Sequence, residues 1–570
     1  MSAHPEALVA KPHTPVYRMH KYFARRPWNV FSHLVTQYST QGEIILDPFC
    51  GGGVTIVEAL KLRRRVVGVD SNPLATYITS MECGPADLPG LGTAFGELST
   101  RVADRLSSLY RTRCNGCGTT AIADWLEWDE KSKRILRLKL DCPKCGKTEQ
   151  KANRTDQVLA ERIKRNFENL VESLRLWFPP TRIPRGDKTD SLLKQNLVAF
   201  HELFTERNLL ALAILRKEIL RIENSCARQM LMFVFSSSLK WASRQSHLRG
   251  KIVEGWAMHA YWIYPKSLEL NEWNVYKRRY NAVHAGKLYS NQHIGPYARM
   301  ADNFKQLADG VATYLVLNRS AADLPILDES VDAVITDPPY GGNVNYAELS
   351  DFWHIWISKG KTIDKKSEAV INKTQEKSIH EYQTLLELVF KECHRVLKEG
   401  RFLVSTFNSK DFRIVTSFIL AASKVGFTLP PTGVKYQAPI RSYTTTFHAM
   451  QIGAFVGDFI FAFKKERSTS GSVFNESESR KIESGVSQLV EENIRSNRPE
   501  PDLRERAYTL LIPFLANYAV TNPDECTYAA DFFERKIKEN DSYFKGTRKR
   551  LTDERRRTFG AAPTVASLRQ

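Results

Sequence analysis

A short run in the second half of the chain, Asp337-Pro338-Pro339-Tyr340, combines residue types that could hold a planar amine. It follows residues 331–336, an apolar run with the pattern of a buried strand. Two prolines continue neither a central strand nor a helix, so they make a stiff turn at the strand's end. The Asp337 carboxylate and the Pro338 carbonyl could accept hydrogen bonds from an exocyclic NH2 group, while Tyr340 stacks on the same base. A chance turn after a core strand is the alternative, because four residues make a short motif.

A second stretch has the layout of a nucleotide-binding unit. Residues 43–46 and 65–69 have the pattern of buried strands, and between them lie a helix and the loop Asp-Pro-Phe-Cys-Gly-Gly-Gly at 47–53. Consecutive glycines let the backbone approach a ligand closely, and Asp70, after the second strand, is placed to bind ribose hydroxyls. No Lys-Ser/Thr follows the glycines and the spacing is not Gly-x-Gly-x-x-Gly, so S-adenosylmethionine fits better than a triphosphate or NAD. An ordinary tight turn is the alternative.

Four of the nine cysteines form two pairs, Cys114 with Cys117 and Cys142 with Cys145, with 24 residues between the pairs. A glycine follows the second cysteine of each pair, as in zinc-ribbon knuckles. Four thiolates at this spacing make a closed tetrahedral site with no open coordination position. We therefore expect a structural zinc ion in a small β-ribbon. A redox-active Cys-x-x-Cys pair is a weaker alternative, because two such pairs occur in tandem.

The charge balance favours a polyanionic partner. The chain has 82 Lys and Arg residues against 63 Asp and Glu residues, a formal net charge of +19. Such an excess suits nucleic acid, although a basic enzyme without such a partner is an alternative. The sequence contains no run of about 18 apolar residues, so it predicts no membrane span. The N-terminus lacks a signal-peptide pattern. We expect a cytoplasmic protein without membrane contact.

Residues 238–280 interleave aromatic and basic side chains, a mixture that suits phosphate contacts and base stacking. A Trp-rich core with charged edges is an equally good interpretation. Near the N-terminus, residues 14–31 also alternate aromatic and basic side chains, and this loop could cover a cofactor or a flipped base. Phe23 is therefore a cofactor-binding candidate, although Tyr22, Phe23 and Trp28 could equally be ordinary packing residues.

Together, these motifs resemble those of the adenine-specific, exocyclic-amino DNA methyltransferases of the Asp-Pro-Pro-Tyr type that carry an internal zinc ribbon. The stretches Tyr-Arg-Met-His-Lys-Tyr-Phe-Ala-Arg-Arg-Pro-Trp at 17–28 and Asn-Val-Asn-Tyr-Ala-Glu-Leu-Ser-Asp-Phe at 343–352 strengthen the resemblance. It covers roughly residues 12–80, 114–146 and 315–465. One departure is Ser320, which stands where the family often has an acid ahead of the catalytic strand.

The resemblance implies an α/β fold, a Rossmann-like seven-stranded sheet that is largely parallel, with an inserted zinc ribbon and helical region. It implies methyl transfer from S-adenosylmethionine to N6 of an adenine flipped out of double-stranded DNA, with Asp337, Pro338, Pro339 and Tyr340 as the catalytic residues. Asp70 would hold the ribose, and Asp47 with two glycines would line the methionine side. The cofactor-binding candidates are Asp47, Pro48, Phe49, Gly51, Gly53, Thr55, Asp70, Asn72 and Phe23.

The expected domains follow the same resemblance. Two halves of the catalytic domain, 1–100 with the cofactor motif and 315–466 with the catalytic motif, flank a zinc ribbon at 101–155 and a helical region at 156–314 that would recognise the target. Residues 467–570 are predicted to be a linker followed by a basic helical tail, with helices at 481–495 and 503–518 and a very basic end at 545–557.

Several alternatives stay open on the residues alone. N4 of cytosine is a second target, and an RNA methyltransferase acting on guanine N2 or adenine N6 would share the Asp-Pro-Pro-Tyr turn and a basic zinc module. A nucleic-acid-binding protein with a decayed methyltransferase core is a rival of another class, although Asp47, Asp70, Asp337 and Tyr340 are all intact. The expected setting is restriction–modification or phage defence, where restriction or other defence-system proteins could be partners.

Overall fold

The computed structural model describes residues 11–256, 258–437, 458–466 and 475–547. Its strands are β1 (Ile44–Asp47), β2 (Arg65–Asp70), β3 (Arg111–Arg113), β4 (Thr120–Asp129), β5 (Arg134–Cys142), β6 (Gly146–Lys151), β7 (His247–Arg249), β8 (Ile252–Glu254), β9 (Lys266–Leu270), β10 (Tyr314–Asn318), β11 (Ala333–Thr336), β12 (Phe402–Phe407), β13 (Phe427–Thr428), β14 (Val434–Gln437) and β15 (Asp458–Lys465).

The helices surround two separate sheets. They are α1 (Trp28–Tyr38), α2 (Val54–Lys61), α3 (Pro73–Cys83), α4 (Leu88–Ser108), α5 (Arg154–Arg165), α6 (Phe167–Ser173), α7 (Asp190–Leu193), α8 (Glu206–Ile219), α9 (Ser225–Ala242), α10 (Glu272–His293), α11 (Phe304–Ala308), α12 (Tyr346–Ile357), α13 (Ile379–Val396), α14 (Phe412–Lys424), α15 (Glu476–Arg495), α16 (Glu500–Tyr518) and α17 (Pro523–Glu539). Short 3-10 helices occur at Pro15–Arg18, Phe200–Leu203, Lys373–Gln375 and Pro431–Gly433.

The larger sheet has the order β10-β2-β1-β11-β12-β15-β13, and β14 also pairs with β15. The first five strands in this order run parallel, whereas β15 is antiparallel to each strand that it pairs with. The predicted seven-stranded, largely parallel sheet is therefore confirmed, with β14 as an addition. The chain runs outward from β1 on one side and returns to β11 on the other. The β1/β11 boundary is thus the switch point at which such sheets bind ligands.

Alternate strand residues face two separate cores. Ile45 and Ile335 point into a core formed with helices from the first half of the chain and the insertion, including α1–α4, α8–α10 and α12. Leu46 and Val334 point the other way, into a core formed with α11, α13, α14 and the C-terminal helices. This period of two explains why the central strands read as continuous apolar runs, since both of their faces are covered.

The smaller sheet contains the predicted zinc-ribbon segment and one strand from beyond it. Strands β3, β4, β5 and β6 pair in sequence order, and β9 pairs with β4 from Trp125–Leu270 to Asp129–Lys266. The regions predicted as 101–155 and 156–314 therefore share a sheet, and the expected boundary at residue 100 falls within α4. The ribbon is tied to the helical region by backbone hydrogen bonds, which sequence patterns alone did not indicate.

The large rings of the aromatic and basic segment are mostly internal. Trp256, Tyr261 and Trp273 are buried, and Trp256 stacks on Trp353 of α12 with ring centroids 5.2 Å apart. Core packing is thus the correct interpretation for these three rings, and base stacking by them is not supported. A recognition role for 156–314 stays a prediction that would depend on other side chains.

The C-terminal helices pack on the larger sheet. Tyr508 of α16 stacks on Phe459 of β15 with centroids 4.0 Å apart, and its hydroxyl donates to the Ser409 carbonyl at 3.1 Å. Arg504 bridges Glu534 of α17 at 2.7 Å and the Lys410 carbonyl. The helices predicted at 481–495 and 503–518 correspond to α15 and α16. The predicted linker falls mostly, and the basic end at 545–557 almost entirely, outside the described residues.

In the described part of the chain, no helix combines the length and apolar character needed to span a bilayer.

Candidate active site

Three carboxylates meet at one edge of the large sheet. Leu46 lies opposite Val334 in the β1–β11 pair, so Asp47 and Asp337 both follow at the carboxyl ends of these strands. In the β1–β2 pair Asp47 lies opposite Gly68, which places Asp70 two residues further along the next strand. Parallel strands bring their carboxyl ends to a common edge, and the sequence motifs are therefore assembled at the switch point.

Asp47 is buried and held in place by neighbouring hydroxyl and amide groups. The Thr336 hydroxyl donates to its carboxylate at 2.6 Å, and the Phe49 amide donates at 3.2 Å. Burial raises the pKa of Asp47 to about 7, against the opposing effect of the hydrogen bonds. A positively charged ligand group beside this carboxylate would offset the cost of keeping it ionised.

The glycine loop is shaped around Asp70. The Gly51 amide donates to the Asp70 carboxylate at 2.9 Å, and the Asn72 amide donates at 2.8 Å. Gly51 and Gly53 have φ angles of 47° and 77°, which only glycine adopts without strain. Burial raises the pKa of Asp70 to about 6, while these two amides lower it. The loop therefore presents its backbone to the cleft next to an acid able to accept further hydrogen bonds.

The carboxylate of Asp337 is contacted on several sides. Arg26 Nε donates to it at 2.6 Å and the Thr406 hydroxyl at 2.6 Å, and the Tyr340 hydroxyl also donates to it. Arg26 also bonds Asp458, Nη1 to Oδ2 at 3.0 Å. The sequence analysis did not identify Arg26, Thr406 or Asp458 as site residues. These residues are far apart in the chain and come together only in the folded structure.

The remaining motif residues fix the turn itself. Tyr382 of α13 donates its hydroxyl to the Pro339 carbonyl at 2.7 Å. The Tyr340 ring lies 4.8 Å from that of Phe407 at the end of β12 and 4.7 Å from the Arg26 guanidinium. The Asp337-Pro338-Pro339-Tyr340 turn is thus anchored to both neighbouring elements.

A cleft of about 950 Å³, partly open to solvent, runs along this edge. Of the predicted site residues, Pro338, Tyr340 and Gly53 do not contribute to its lining. Those that do are Phe23, Asp47, Pro48, Phe49, Gly51, Thr55, Asp70, Asn72, Asp337 and Pro339. Ser320 lines the cleft as well, so the departure from the family pattern lies where it bears on ligand contacts.

Some of these side chains also have structural partners. Asn72 caps α3 by accepting from the Leu74 amide at 3.0 Å and donates to Ser350 at 2.8 Å. Phe23 is 1% exposed and packs edge-on against Trp256 and Trp353.

The N-terminal segment closes over the glycine loop. Arg25 donates to the Gly52 carbonyl at 2.5 Å and to Glu82 of α3 at 2.9 Å. A Cβ atom at Gly51 would lie 2.9 Å from the Tyr22 ring, and one at Gly52 would lie 2.9 Å from the Arg25 guanidinium carbon. A side chain at Gly51 would therefore clash with the Tyr22 ring, and one at Gly52 would have to displace Arg25. The sequence indicated a cover at 14–31 but not that Arg25 would be the residue that fastens it.

The opposite wall of the cleft adds Tyr346 and Glu368, which sequence reasoning also did not propose. Tyr346 stacks on Tyr22 with centroids 5.9 Å apart. Glu368 accepts from the Ala347 amide at 2.9 Å through Oε1, while its buried Oε2 lacks a hydrogen-bond partner among the described residues. Burial raises the pKa of Glu368 to about 7. The open oxygen leaves one acceptor for a donor group in the cleft.

The four paired cysteines converge at one end of the small sheet. Their sulfur atoms all lie within 4.8 Å of one another, with Cys114 and Cys145 at 3.8 Å and Cys117 and Cys142 at 3.5 Å. Sulfur atoms about 2.3 Å from a tetrahedral zinc ion would be separated by about 3.8 Å. Gly118 and Gly146 have φ angles of 71° and 70°, as tight knuckle turns require. These four thiols could hold zinc.

The segments that form most of the large sheet match a known protein family. A DNA methylase family model matches residues 6–80 and 331–494, which contain the glycine loop and the Asp-Pro-Pro-Tyr turn respectively. No curated protein matches the chain. The two matched segments carry β1, β2, β11, β12 and β15, and the stretch between them carries the cysteine cluster. The two matched segments support a DNA methyltransferase of the N6-adenine or N4-cytosine kind, a class that uses S-adenosylmethionine.

Proposed function

We propose that this protein methylates N6 of adenine in double-stranded DNA, on a base flipped out of the helix. The observation that carries the proposal is the position of Asp337 at the switch point, in the same cleft as Asp47, Asp70 and the glycine loop. An amine held at Asp337 would face a cofactor held by the glycine loop. A base inside a duplex cannot reach such a cleft, so it must leave the stack.

The cofactor supplies a methyl group on a positively charged sulfur. In the proposed reaction, the Asp337 carboxylate and the Pro338 carbonyl accept hydrogen bonds from the two N–H groups of the amine. These hydrogen bonds orient the nitrogen lone pair toward the methyl group of the cofactor. Thr406 orients the Asp337 carboxylate through their 2.6 Å hydrogen bond. The new N–C bond forms as the C–S bond breaks, and the carboxylate stabilises the positive charge that develops on nitrogen before a proton is lost. Asp70 binds the ribose hydroxyls and Asp47 lies on the methionine side.

An aspartate as the first motif residue supports adenine over cytosine, because the resemblance associates serine with N4-cytosine enzymes. We place the activity in restriction–modification or another phage-defence system. We also propose that the cysteine cluster binds structural zinc, because a closed set of four thiolates leaves no position for substrate.

The test is transfer of radiolabelled methyl groups from S-adenosylmethionine to unmethylated duplex DNA and, in parallel, to total RNA. We expect label in DNA that digestion recovers as N6-methyladenine, and loss of at least 100-fold in rate with Asp337→Ala, since one oriented donor or acceptor is worth about 10²–10³. Asp104→Ala is the matched control, because this exposed residue of α4 lies outside the cleft lining and should leave the rate unchanged. N4-methylcytosine would correct the base, label in RNA alone would correct the substrate, and no label would overturn the proposal.

A further inference from the structure

We propose that Arg26 occupies the position of the target base in the free enzyme, so that only a base with an exocyclic amine displaces it efficiently. This inference rests on the proposed function, because Asp337 and Tyr340 are taken as the residues that hold the base. It makes Arg26 a specificity-determining residue that the catalytic motifs do not contain.

Arg26 makes the two contacts that are assigned to the base. Its Nε–H donates to Asp337 Oδ2 at 2.6 Å, as the exocyclic amine would. Its guanidinium carbon lies 4.7 Å from the centroid of the Tyr340 ring, as a stacked base would. A guanidinium group is planar, carries N–H donors at its edge and stacks on aromatic faces. Its chemistry therefore matches that of an aminopurine edge.

Within the described parts of the chain, two ion pairs hold the arginine. The side chains of Arg26, Asp337 and Asp458 are 16%, 18% and 12% exposed, so both ion pairs are largely removed from water. Burial lowers the pKa of Arg26, but the two carboxylates outweigh this and raise it above its usual value. The charge persists at every physiological pH, and the contact does not open by deprotonation.

Arg26 cannot keep its contact with Asp337 during methyl transfer. The reaction places positive charge on the amine nitrogen, and a guanidinium bound to the same carboxylate would oppose that charge. The base and the guanidinium would also need the same face of Tyr340. The reacting complex therefore requires the Arg26 side chain to move, with Asp458 available as its remaining partner.

Displacement by exchange favours particular bases. An incoming base must restore an N–H donor to Asp337 and a π-face to Tyr340. Otherwise this largely buried carboxylate loses its ion pair and keeps only the hydroxyl donors of Thr406 and Tyr340. Adenine and cytosine can do both, whereas thymine has no exocyclic amine. The free energy needed to displace Arg26 thus selects amine-bearing bases before any methyl group is transferred.

The local structure allows the side chain to move alone. The preceding residue, Arg25, is fastened to Gly52 and Glu82, which holds the backbone of the N-terminal segment against the glycine loop. A swing of Arg26 about its side-chain torsions would clear the Tyr340 ring without lifting this segment. The exchange therefore needs no opening of the fold.

The experiment compares Arg26→Met with the wild-type protein on the duplex DNA that the wild type methylates. The methionine keeps the apolar stem but removes the charge and the donors. We expect the KM for DNA to fall about tenfold, equivalent to about 1.4 kcal/mol, with methylation at additional sites. Asp458→Asn, which removes the carboxylate left to the displaced arginine, should instead raise the KM for DNA, and it provides a second variant if Arg26→Met folds poorly.

Arg25→Met is the matched control, since it removes the adjacent guanidinium from the cofactor loop. It should raise the KM for S-adenosylmethionine and leave the KM for DNA no lower than in the wild type. An unchanged or increased KM for DNA in Arg26→Met, or a decreased KM for DNA in Asp458→Asn, would overturn the role of Arg26. Absence of methyl transfer by the wild-type protein would instead count against the proposed function.

Discussion

Asp47 carries its carboxylate in surroundings that disfavour a negative charge, because burial outweighs the hydrogen bonds from Thr336 and Phe49. Burial therefore makes this carboxylate bind a proton more readily than an ordinary aspartate. An ammonium group on the methionine side of the cofactor would favour the ionised form. Cofactor binding and loss of this proton should then be linked.

We expect the affinity for S-adenosylmethionine to fall as pH drops through about 7, because protonation of Asp47 removes the charge that would pair with the ammonium group. Titration calorimetry from pH 5.5 to 8.5 would measure this, with a slope of at most about tenfold per pH unit. Asp47→Asn should bind weakly and show a flatter profile. A slope that persists unchanged in this variant would assign the effect to another acid.

Gly52 tests how closely the N-terminal segment approaches the cofactor loop. A Cβ atom there would lie 2.9 Å from Arg25, so Gly52→Ala should displace Arg25 and weaken cofactor binding about tenfold or more. Gly96→Ala is the control, since it lies in a helix with no atom within 4 Å of the added methyl group, and it should be neutral or slightly stabilising. Equal cofactor affinity in both variants would contradict the close approach.

At the scale of single elements, the local sequence predicted the candidate site correctly wherever the site residues lie close together in the chain. The β1–loop–α2–β2 unit and the turn after β11 combine strand patterns with glycines and prolines, and these signals act over a few residues. The contact between Arg26 and Asp337 spans 311 positions, and Asp458 joins it from β15. No periodicity or motif links such residues, because only the assembled sheet brings them together.

The small sheet gives a second example of what sequence could and could not show. Cysteine spacing predicted the cluster, since the knuckle turns are local. The pairing of β9 with β4 was not predictable, because β9 lies more than 130 residues later and only tertiary packing brings the two strands together. The same packing buries Trp256 and Tyr261, which by composition alone could equally have been surface rings.

We expect about one zinc ion per chain by elemental mass spectrometry, held by the four clustered cysteines. Cys114→Ser or Cys142→Ser should abolish it and lower the melting temperature, because the metal joins the β3–β4 and β5–β6 turns. Cys226→Ser is the control, since this exposed cysteine lies outside the cluster and should leave zinc content unchanged. A full zinc load in Cys114→Ser would refute the assignment.

At the scale of the whole molecule, the C-terminal helices complete a core rather than forming an appendage. Residues of α15, α16 and α17 share one apolar cluster with β12, β15 and α14. Their loss of structure should therefore expose one face of the catalytic sheet.

Leu511, fully buried in α16, provides the test. Leu511→Ala should lower the stability of the protein by about 2–5 kcal/mol, and the tail and the catalytic sheet should melt together. Thermal unfolding followed by far-ultraviolet circular dichroism and by residual methyl transfer would show this. Val520→Ala, at a half-exposed position, should change little. A separate early transition without loss of activity would show that the tail unfolds independently.

The two adjacent arginines of the N-terminal segment each contact one of the two proposed substrate sites, and a single peptide bond links them. Arg25 is fastened to the cofactor loop and Arg26 to the carboxylate that would receive the base. A cofactor that orders the glycine loop around Arg25 would therefore change how readily the Arg26 side chain leaves Asp337. We therefore expect cofactor and DNA binding to be cooperative, in which case thermodynamic reciprocity requires each to change the affinity of the other by the same factor. The order in which the enzyme collects its substrates would then follow from the spacing of two neighbouring side chains.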